Sequence, residues 1–513
     1  MDDHLKKKLG AFYSSNEIVD FIIKKTLLLK PNNILEPSFG DGIFIKNLKK
    51  FNYNNTITGI EIEKNTFTKF KNDYLKKNIE LINQNFLTYN KNYFDAIIGN
   101  PPFVRTRFLH NNQKLISVNY YKKKLKLKSL SDPSTWLLFV YHSISLLKKN
   151  GSISFILPYD FTFVTYAKPL WEKLFSSFGK IEIHHTKKRY FPNILQDTIV
   201  LFAQKFGRNT NKLNFFIYLD GINKKYDIKK IIYKDDIIKK GRPFKYALIS
   251  PKFKIIEKKI SKKLSYLSEL IDFHIGYVSG NKKFFHPSID VIKKYKLNNS
   301  HLIKTIADTK ILKDSGIYTS NILTSKLNDL FYPTNIDKHA SNYISLGKKE
   351  SVNKQHKTSK RDDWYMVPLI KKPDYLVTVF NEFPLMILND KKYLATNTFL
   401  CGYLKNNIEN ESLLNNWYSS LTQLYIELEV HSLGGGMLVM VPQEISQIKV
   451  PFLKKNNKNF LKKVNLLAKN KKINEILDLG DQVILKDYLK LTSNDLKVIK
   501  DSIKILKFWR IPN

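Results

Sequence analysis

The chain has 513 residues, enough for roughly two to four domains that each bury a core. Its formal charge of +41, from 86 Lys and Arg against 45 Asp and Glu, points to a polyanionic partner, because cations that neutralise phosphates release counterions. A single cysteine, Cys401, excludes a disulfide framework and a cysteine metal cluster, and no metal is expected. The excess of Lys and Arg runs through both halves, so it is not a basic tail. The crowding of Lys, Asn, Ile, Phe and Tyr also fits an AT-rich coding sequence, and drift stays a competing source of the charge. Met1-Asp2-Asp3-His4 lacks the basic start of a signal peptide, and no apolar run reaches the ~20 residues of a bilayer span. The expectation is a cytoplasmic protein with no membrane partner.

In chain order, Ile34-Leu35, Ile57 to Ile60, Ile79 to Ile82, Ala96 to Ile98 and Ser152 to Leu157 read as buried strands. Helical patterns occupy residues 42–50, 64–76, 134–148 and 168–178. This βαβα alternation predicts an α/β domain with a doubly wound, mostly parallel sheet covered on both faces. Ligands then sit beyond the carboxyl ends of the strands. Residues 206–245 read as a connector rich in Lys, Asn and Asp. Residues 246–513 read as a mixed α+β region, and residues 453–509 as Lys-rich amphipathic helix. The expected domains are 1–235 and 246–513.

The segment Ile34-Leu35-Glu36-Pro37-Ser38-Phe39-Gly40-Asp41-Gly42 leads from the first strand into a helix. Gly40 and Gly42 let the backbone turn tightly and approach a ligand. Gly59-Ile60-Glu61 ends the second strand in a carboxylate of the kind that grips ribose hydroxyls. The loop lacks G-x-G-x-x-G spacing, and Glu36 would repel a pyrophosphate. An acidic loop suits a cationic sulfonium cofactor better. A strand, turn and helix with no ligand is the alternative.

The strand Phe94 to Gly99 runs into Asn100-Pro101-Pro102-Phe103. The two prolines fix φ and push each preceding residue into extended geometry. The Asn100 side chain and the Pro101 carbonyl are then two acceptors on one rigid turn. Two convergent acceptors match the two hydrogens of one aromatic amino group. Accepting both localises the nitrogen lone pair for in-line attack on a methyl sulfonium, and the work is positioning and electrostatics. Phe103 offers a flat surface on which an extruded base can stack. The bland alternative is a proline-rich turn with Phe103 packing only.

The order of these pieces resembles the gamma class of adenine-N6 DNA methyltransferases, the class of the TaqI enzyme, over about residues 9–205. Its Phe-Tyr-Thr-Pro-like segment resembles Gly10-Ala11-Phe12-Tyr13-Ser14-Ser15. Its glycine motif resembles Glu36 to Gly42, its ribose acid Gly59-Ile60-Glu61, and its third motif Gln84-Asn85-Phe86. Its catalytic tetrad is Asn100-Pro101-Pro102-Phe103, and its second base-stacking aromatic falls on Phe191. The resemblance implies the class I methyltransferase fold, S-adenosylmethionine as cofactor, and a methyl transfer to adenine N6 in double-stranded DNA after base flipping. It implies a cofactor site of Tyr13, Ser14, Glu36, Ser38, Gly40, Gly42, Glu61, Ile62, Asn85, Phe86 and Asn100. Ser14-Ser15 stands where the family has Thr-Pro, and Asn85 where it has Asp. Glycine loop and tetrad are too close for a target-recognition domain between them, so that domain must follow, as in the gamma class. Ile275 to Lys282 resembles an early Gly-Asn segment of such a domain, and Leu433-Gly434-Gly435-Gly436-Met437 a late Gly-rich one. A plain flexible loop is the alternative for the second.

Residues 103–130 carry Arg105, Arg107, Lys114, Lys122, Lys123, Lys124, Lys126 and Lys128 and no acid, interleaved with Phe108, Tyr120 and Tyr121. Arg105, Arg107, Lys122, Lys123 and Lys124 are candidate phosphate contacts; a solvated amphipathic helix explains the pattern equally. His184-His185 reads as structural. No nuclease signature is evident, so a cognate restriction endonuclease would be a separate partner, and a monomer is favoured. The competing readings are a methyltransferase of RNA bases or protein glutamine, and a non-catalytic DNA-specificity subunit.

Overall fold

The structure is a computed structural model. It describes residues 15–74, 77–91, 93–125, 132, 134–188, 190, 197–239, 242–405, 408–433, 436–453 and 457–511, with the side chains of Lys123, Lys124, Lys313 and Asp314 set aside. The chain divides into two units, Met1–Ala247 and Leu248–Asn513.

The first unit is built on one nine-stranded sheet. Its strands are β1 (Asn33–Glu36), β2 (Thr56–Glu61), β3 (Ile79–Asn83), β4 (Phe94–Gly99), β5 (Leu147–Pro158), β6 (Phe178–Thr186), β7 (Thr198–Phe206), β8 (Lys212–Tyr218) and β9 (Ile228–Tyr233). They lie in the order β3-β2-β1-β4-β5-β7-β6-β8-β9. Strands β3, β2, β1, β4 and β5 are mutually parallel. Strand β7 runs antiparallel between β5 and β6. This doubly wound sheet is the class I methyltransferase fold expected from the sequence.

The strands are continuous apolar runs because both faces are covered. Ala96, Ile97 and Ile98 point alternately to opposite faces, and all three are buried. Helix Asn16–Leu27 supplies Ile18, Val19, Ile22 and Ile23 to the core, and helix Ile43–Lys50 supplies Phe44, Ile45 and Leu48. The expected 64–76 helix spans Lys64–Asp73, with the Glu63 side chain accepting from Asn65 N and Thr66 N. Helices Thr135–Ser145 and Lys168–Ser177 stand at the expected places.

The expected connector at 206–245 is corrected. It contains β8, which pairs parallel to β6, then β9, and the helix Lys234–Lys239. Leu213, Phe215 and Ile217 alternate into the core, and the Lys and Asn density around them obscures that period in the sequence.

The second unit is mixed α+β. A four-stranded antiparallel sheet joins Ile271–Ile275, Phe399–Leu404, Tyr375–Thr378 and Met386–Leu388. A three-stranded sheet joins Asn328–Phe331, Leu302–Ile306 and Leu394–Ala395. The amphipathic helix expected at roughly 453–509 is divided into Lys458–Lys469, Ile473–Gly480, a wider turn at Asp481–Tyr488, and Ser493–Arg510. Lys471 and Lys490 break it, at φ 59° and 58°, and a Thr492–Asp495 capping box starts the last helix. No described helix is long and apolar enough to cross a membrane.

Candidate functional site

The chain leaves β1, returns through β2 and β3, and crosses to β4 on the other side of β1. That reversal opens a crevice at the carboxyl ends of β1 and β4. The registers align those ends: Glu36 pairs with Gly59, Glu61 with Asn83, and Gly99 with Phe155. The glycine loop and the tetrad thus lie side by side at one end of the sheet. Ser38 Oγ donates to Asn100 O at 3.4 Å and links them.

Gly42 sits at φ 74° as the N-cap of Ile43–Lys50, and a Cβ there would lie 2.0 Å from the Phe70 ring. Gly40 sits at φ 54°, but a Cβ there meets nothing within 4 Å. The loop therefore needs glycine for packing at one position and leaves open space at the other. Gly40 N donates to Glu61 Oε2 at 3.0 Å, and Glu63 N donates to Glu61 Oε1 at 2.9 Å. The acid that ends β2 thereby braces the loop that follows β1.

Glu36 is 1% exposed, and its Oε2 has no hydrogen-bond partner. Burial pushes its carboxyl well above the usual carboxylate range, and the nearby charges of Asp41 and Glu61 push it further. Burial also raises Asp41 and Glu61. Asp41 and Glu61 thus lie close enough to Glu36 for their charges to act on it. Asp41 was not singled out in the sequence, although its place between the two glycines was the available signal. Ile62, just past Glu61, is exposed at 43%.

Asn85 caps the short turn Phe86–Thr88, its Oδ1 accepting from Leu87 N at 2.9 Å. Phe86 is buried against Phe139 and the edge of His142, at ring separations of 4.9 and 4.7 Å. His142 in turn meets Tyr120 Oη at 3.0 Å and Tyr89 O at 2.7 Å. Phe86 thus anchors the segment by its ring contacts, and Asn85 caps the turn that carries it.

After the tetrad, Thr135 acts as a clamp. Its Oγ1 contacts Pro102 O and lies 3.0 Å from Val104 O, while its backbone N donates to Val104 O at 2.8 Å. Phe103 packs, partly buried, against the core formed with helix Asn16–Leu27. The structure therefore brings together Glu36, Ser38, Gly40, Gly42, Glu61 and Asn85 with Asn100, Pro101, Pro102 and Phe103 at one end of the sheet. Sequence reasoning missed Thr135 and Asp132, whose only signal was a run of helix-capping residues before a helix.

The basic segment divides. Tyr120 and Tyr121, the aromatics interleaved with these basic residues, are buried. Arg105, Arg107 and Lys122 are exposed. Arg107 N and Thr106 Oγ1 both donate to Asp132 Oδ1, at 2.8 and 2.9 Å. Tyr13, Ser14, Phe191, Gly434 and Gly435, and the side chains of Lys123 and Lys124, lie outside the described residues. Tyr190, beside Phe191, is fixed: its Oη donates to Glu17 Oε1 at 2.8 Å and accepts from Ile222 N at 2.7 Å.

His184 and His185 are buried on β6. Nδ1 of His184 meets Tyr218 Oη at 2.8 Å, and burial lowers the ring to about 4. Burial lowers His185 to about 3, and it stacks on Tyr159. Both are neutral core residues, as read from the sequence. In the second unit, a Cβ on Gly276 would lie 2.2 Å from Thr396 O, so glycine is required by close approach. Asn281 Oδ1 caps Lys282–Phe285, accepting from Phe284 N at 2.9 Å. Buried Arg510 bonds Gly436 O and pairs with Glu427 at 2.8 and 2.9 Å.

Comparison with known proteins adds the following. Residues 14–191 match the family model described as Eco57I restriction-modification methylase. Residues 240–485 match the model described as Type II methyltransferase M.Eco57I, C-terminal domain. The chain is 25% identical over 416 residues to Type II methyltransferase M.AccI of Acinetobacter calcoaceticus, covering 77% of this chain and 75% of that one. It is 27% identical over 381 residues to Type II methyltransferase M.HindII of Haemophilus influenzae, covering 69% and 70%. It is 32% identical over 217 residues to Type II methyltransferase M.HincII of Haemophilus influenzae, covering 42% and 40%.

Proposed function

We propose that this chain, a gamma-class type II DNA methyltransferase, methylates adenine N6 in double-stranded DNA with S-adenosylmethionine as donor. One observation carries the choice of reaction. The Asn100-Pro101-Pro102-Phe103 turn stands beside a loop whose buried acid, Glu36, holds an unpartnered oxygen.

The acidic side of the crevice supports a cationic cofactor. S-adenosylmethionine carries a sulfonium and an ammonium, and Glu36, Asp41 and Glu61 are the acids that would hold positive charge and ribose hydroxyls. The space in front of Gly40 supports close approach of a ligand to backbone. Asn85 offers an amide oxygen beside the crevice, although it also caps its own turn. We assign Ser38, Gly42, Ile62 and Phe86 to the walls and supports of this site, and Tyr13 and Ser14 to cofactor binding on their resemblance to the family's motif. When bound, the cofactor supplies an electrophilic methyl group.

The chain's own residues do the rest. The Asn100 side-chain oxygen and the Pro101 carbonyl accept the two N–H bonds of the adenine amino group. Pyramidalised in this way, the nitrogen presents a localised lone pair toward the cofactor side, and no general base is needed for attack. Thr135 holds the peptide after the tetrad, so the acceptors do not reorient on binding. Phe103 stacks on the extruded base, with Phe191 as second aromatic. Arg105, Arg107, Lys122, Lys123 and Lys124 hold phosphates nearby. The unit from Leu248 reads the sequence, and a separate endonuclease would complete the restriction-modification system.

The test is transfer of labelled methyl from S-adenosylmethionine to mixed double-stranded DNA, followed by nucleoside analysis. N6-methyladenine is expected. Label in cytosine, RNA or protein would overturn the adenine assignment, and no label with intact DNA binding would favour a specificity subunit.

A further inference from the structure

The segment after the tetrad forms a braced finger. An isolated bridge pairs Arg105 with Ser134, and Val104 is tied to Thr135. Asp132 gathers Thr106 Oγ1, Arg107 N and, at 3.4 Å, Arg107 Nε. Thr106, Ser117, Tyr120 and Tyr121 are buried and seat the finger. At its turn, Thr106–Phe108, this well-anchored backbone presents one apolar ring to solvent: Phe108, 58% exposed.

That ring is held rather than loose. The Arg107 guanidinium lies 4.8 Å from its centroid, and Asp132 fixes the guanidinium in turn. Phe108 is not needed to pack the finger, since the buried residues do that. Nor is it placed for a protein partner of ordinary composition, because residues 103–130 contain basic groups and no acid. A cation-backed aromatic on a basic segment, where Asp132 is already engaged by Thr106 and Arg107, fits the face of a nucleobase on a phosphate strand. It stands five positions after Phe103, so the two Cα atoms lie within ~18 Å, or roughly five nucleotides of one strand.

We propose that Phe108 is a DNA-contacting residue of this enzyme: its ring stacks on a nucleobase beside the extruded adenine and holds open the helix it has left. This rests on the adenine reading above. Apolar wedges that replace lost stacking make an extruded state less costly. Phe108 therefore acts on base extrusion and not on the methyl transfer itself.

The experiment uses the full-length enzyme and duplexes built around the site that the wild type methylates, mapped by sequencing. Single-turnover transfer is measured for wild type, Phe108→Ala and Phe108→Trp. One duplex is fully paired, and one carries an abasic site opposite the target adenine, so that extrusion is already easy. Phe108→Ala is expected to be roughly 5- to 150-fold slower on the paired duplex, the range that base stacking of this kind converts to. It should recover the wild-type rate on the abasic duplex, and Phe108→Trp should be near wild type on both. An unimpaired Phe108→Ala on paired DNA, or one equally slow on both duplexes, would overturn the proposal while leaving the adenine reading intact. A wild type that makes no N6-methyladenine would overturn both.

Discussion

Alanine at Gly40 and at Gly42 separates packing of the cofactor loop from its use. At Gly42 the methyl would lie 2.0 Å from Phe70 Cε2. Phe70 has little room to yield, being stacked on Tyr74 at 4.8 Å and packed on Phe39 at 5.0 Å. Overpacking of this kind costs about 1–3 kcal/mol, and alanine at φ 74° adds about 1–2 kcal/mol. Gly42→Ala should therefore destabilise by about 2–5 kcal/mol. Gly40→Ala carries only the backbone term, about 1–2 kcal/mol, because its methyl meets nothing within 4 Å. That empty volume is where a ligand would lie against the loop. Denaturant unfolding of the full chain should rank Gly42→Ala as the less stable variant. Equilibrium binding of S-adenosylmethionine should rank Gly40→Ala as the weaker binder, by at least about tenfold, or ~1.4 kcal/mol. Unchanged affinity in Gly40→Ala would refute the reasoning, since the open space would then not be the cofactor's.

Asn100→Ala should lower turnover by about 10²–10³-fold, the scale for losing one preorganised polar group, with cofactor affinity largely kept. Ordinary turnover in labelled-methyl assays would sink the two-acceptor mechanism. Phe103→Ala should lose ~1–3 kcal/mol of base stacking, and Phe103→Tyr should restore it; full activity in the alanine variant would leave Phe103 as packing only. Glu36 gives two opposed pH slopes. Its folded value lies above its unfolded one, so its contribution to stability is fully present below the ordinary glutamate range and is lost as pH rises through the raised value. In Glu36→Gln that loss of unliganded stability should disappear. Binding of a cation favours the carboxylate, so a proton is released and affinity rises as pH climbs toward the raised value. Calorimetry in buffers of different ionisation heat counts that proton, and equal proton release in Glu36→Gln would place the effect elsewhere.

The legible parts of the sequence are those where one physical demand dominates. Strands buried on both faces must be apolar throughout, so Ala96-Ile97-Ile98 and Ser152 to Leu157 were visible as strands of a parallel sheet. A turn that needs two prolines, or a glycine pressed against Phe70, also leaves few substitutes. Strand β8 was hidden because its partner β6 and its inward residues are settled at the sheet's far side, while its flanks carry solvent-facing Lys and Asn. The burial of Tyr120 was not legible for a related reason: its partner His142 lies 22 residues further along the chain. Asp132 and Thr135 were unreadable because their meaning lies in contacts about 25 to 33 residues back along the chain. The clamps on the tetrad are therefore invisible where the tetrad itself is plain. This asymmetry has a consequence for the mechanism. In the proposed reaction, which needs no general base, the rate depends on how firmly the two acceptors are held, and Ser38 and Thr135 bond the backbone on either side of Pro101. Rate differences among members of this family with an intact tetrad should then be sought in the residues that play those two parts.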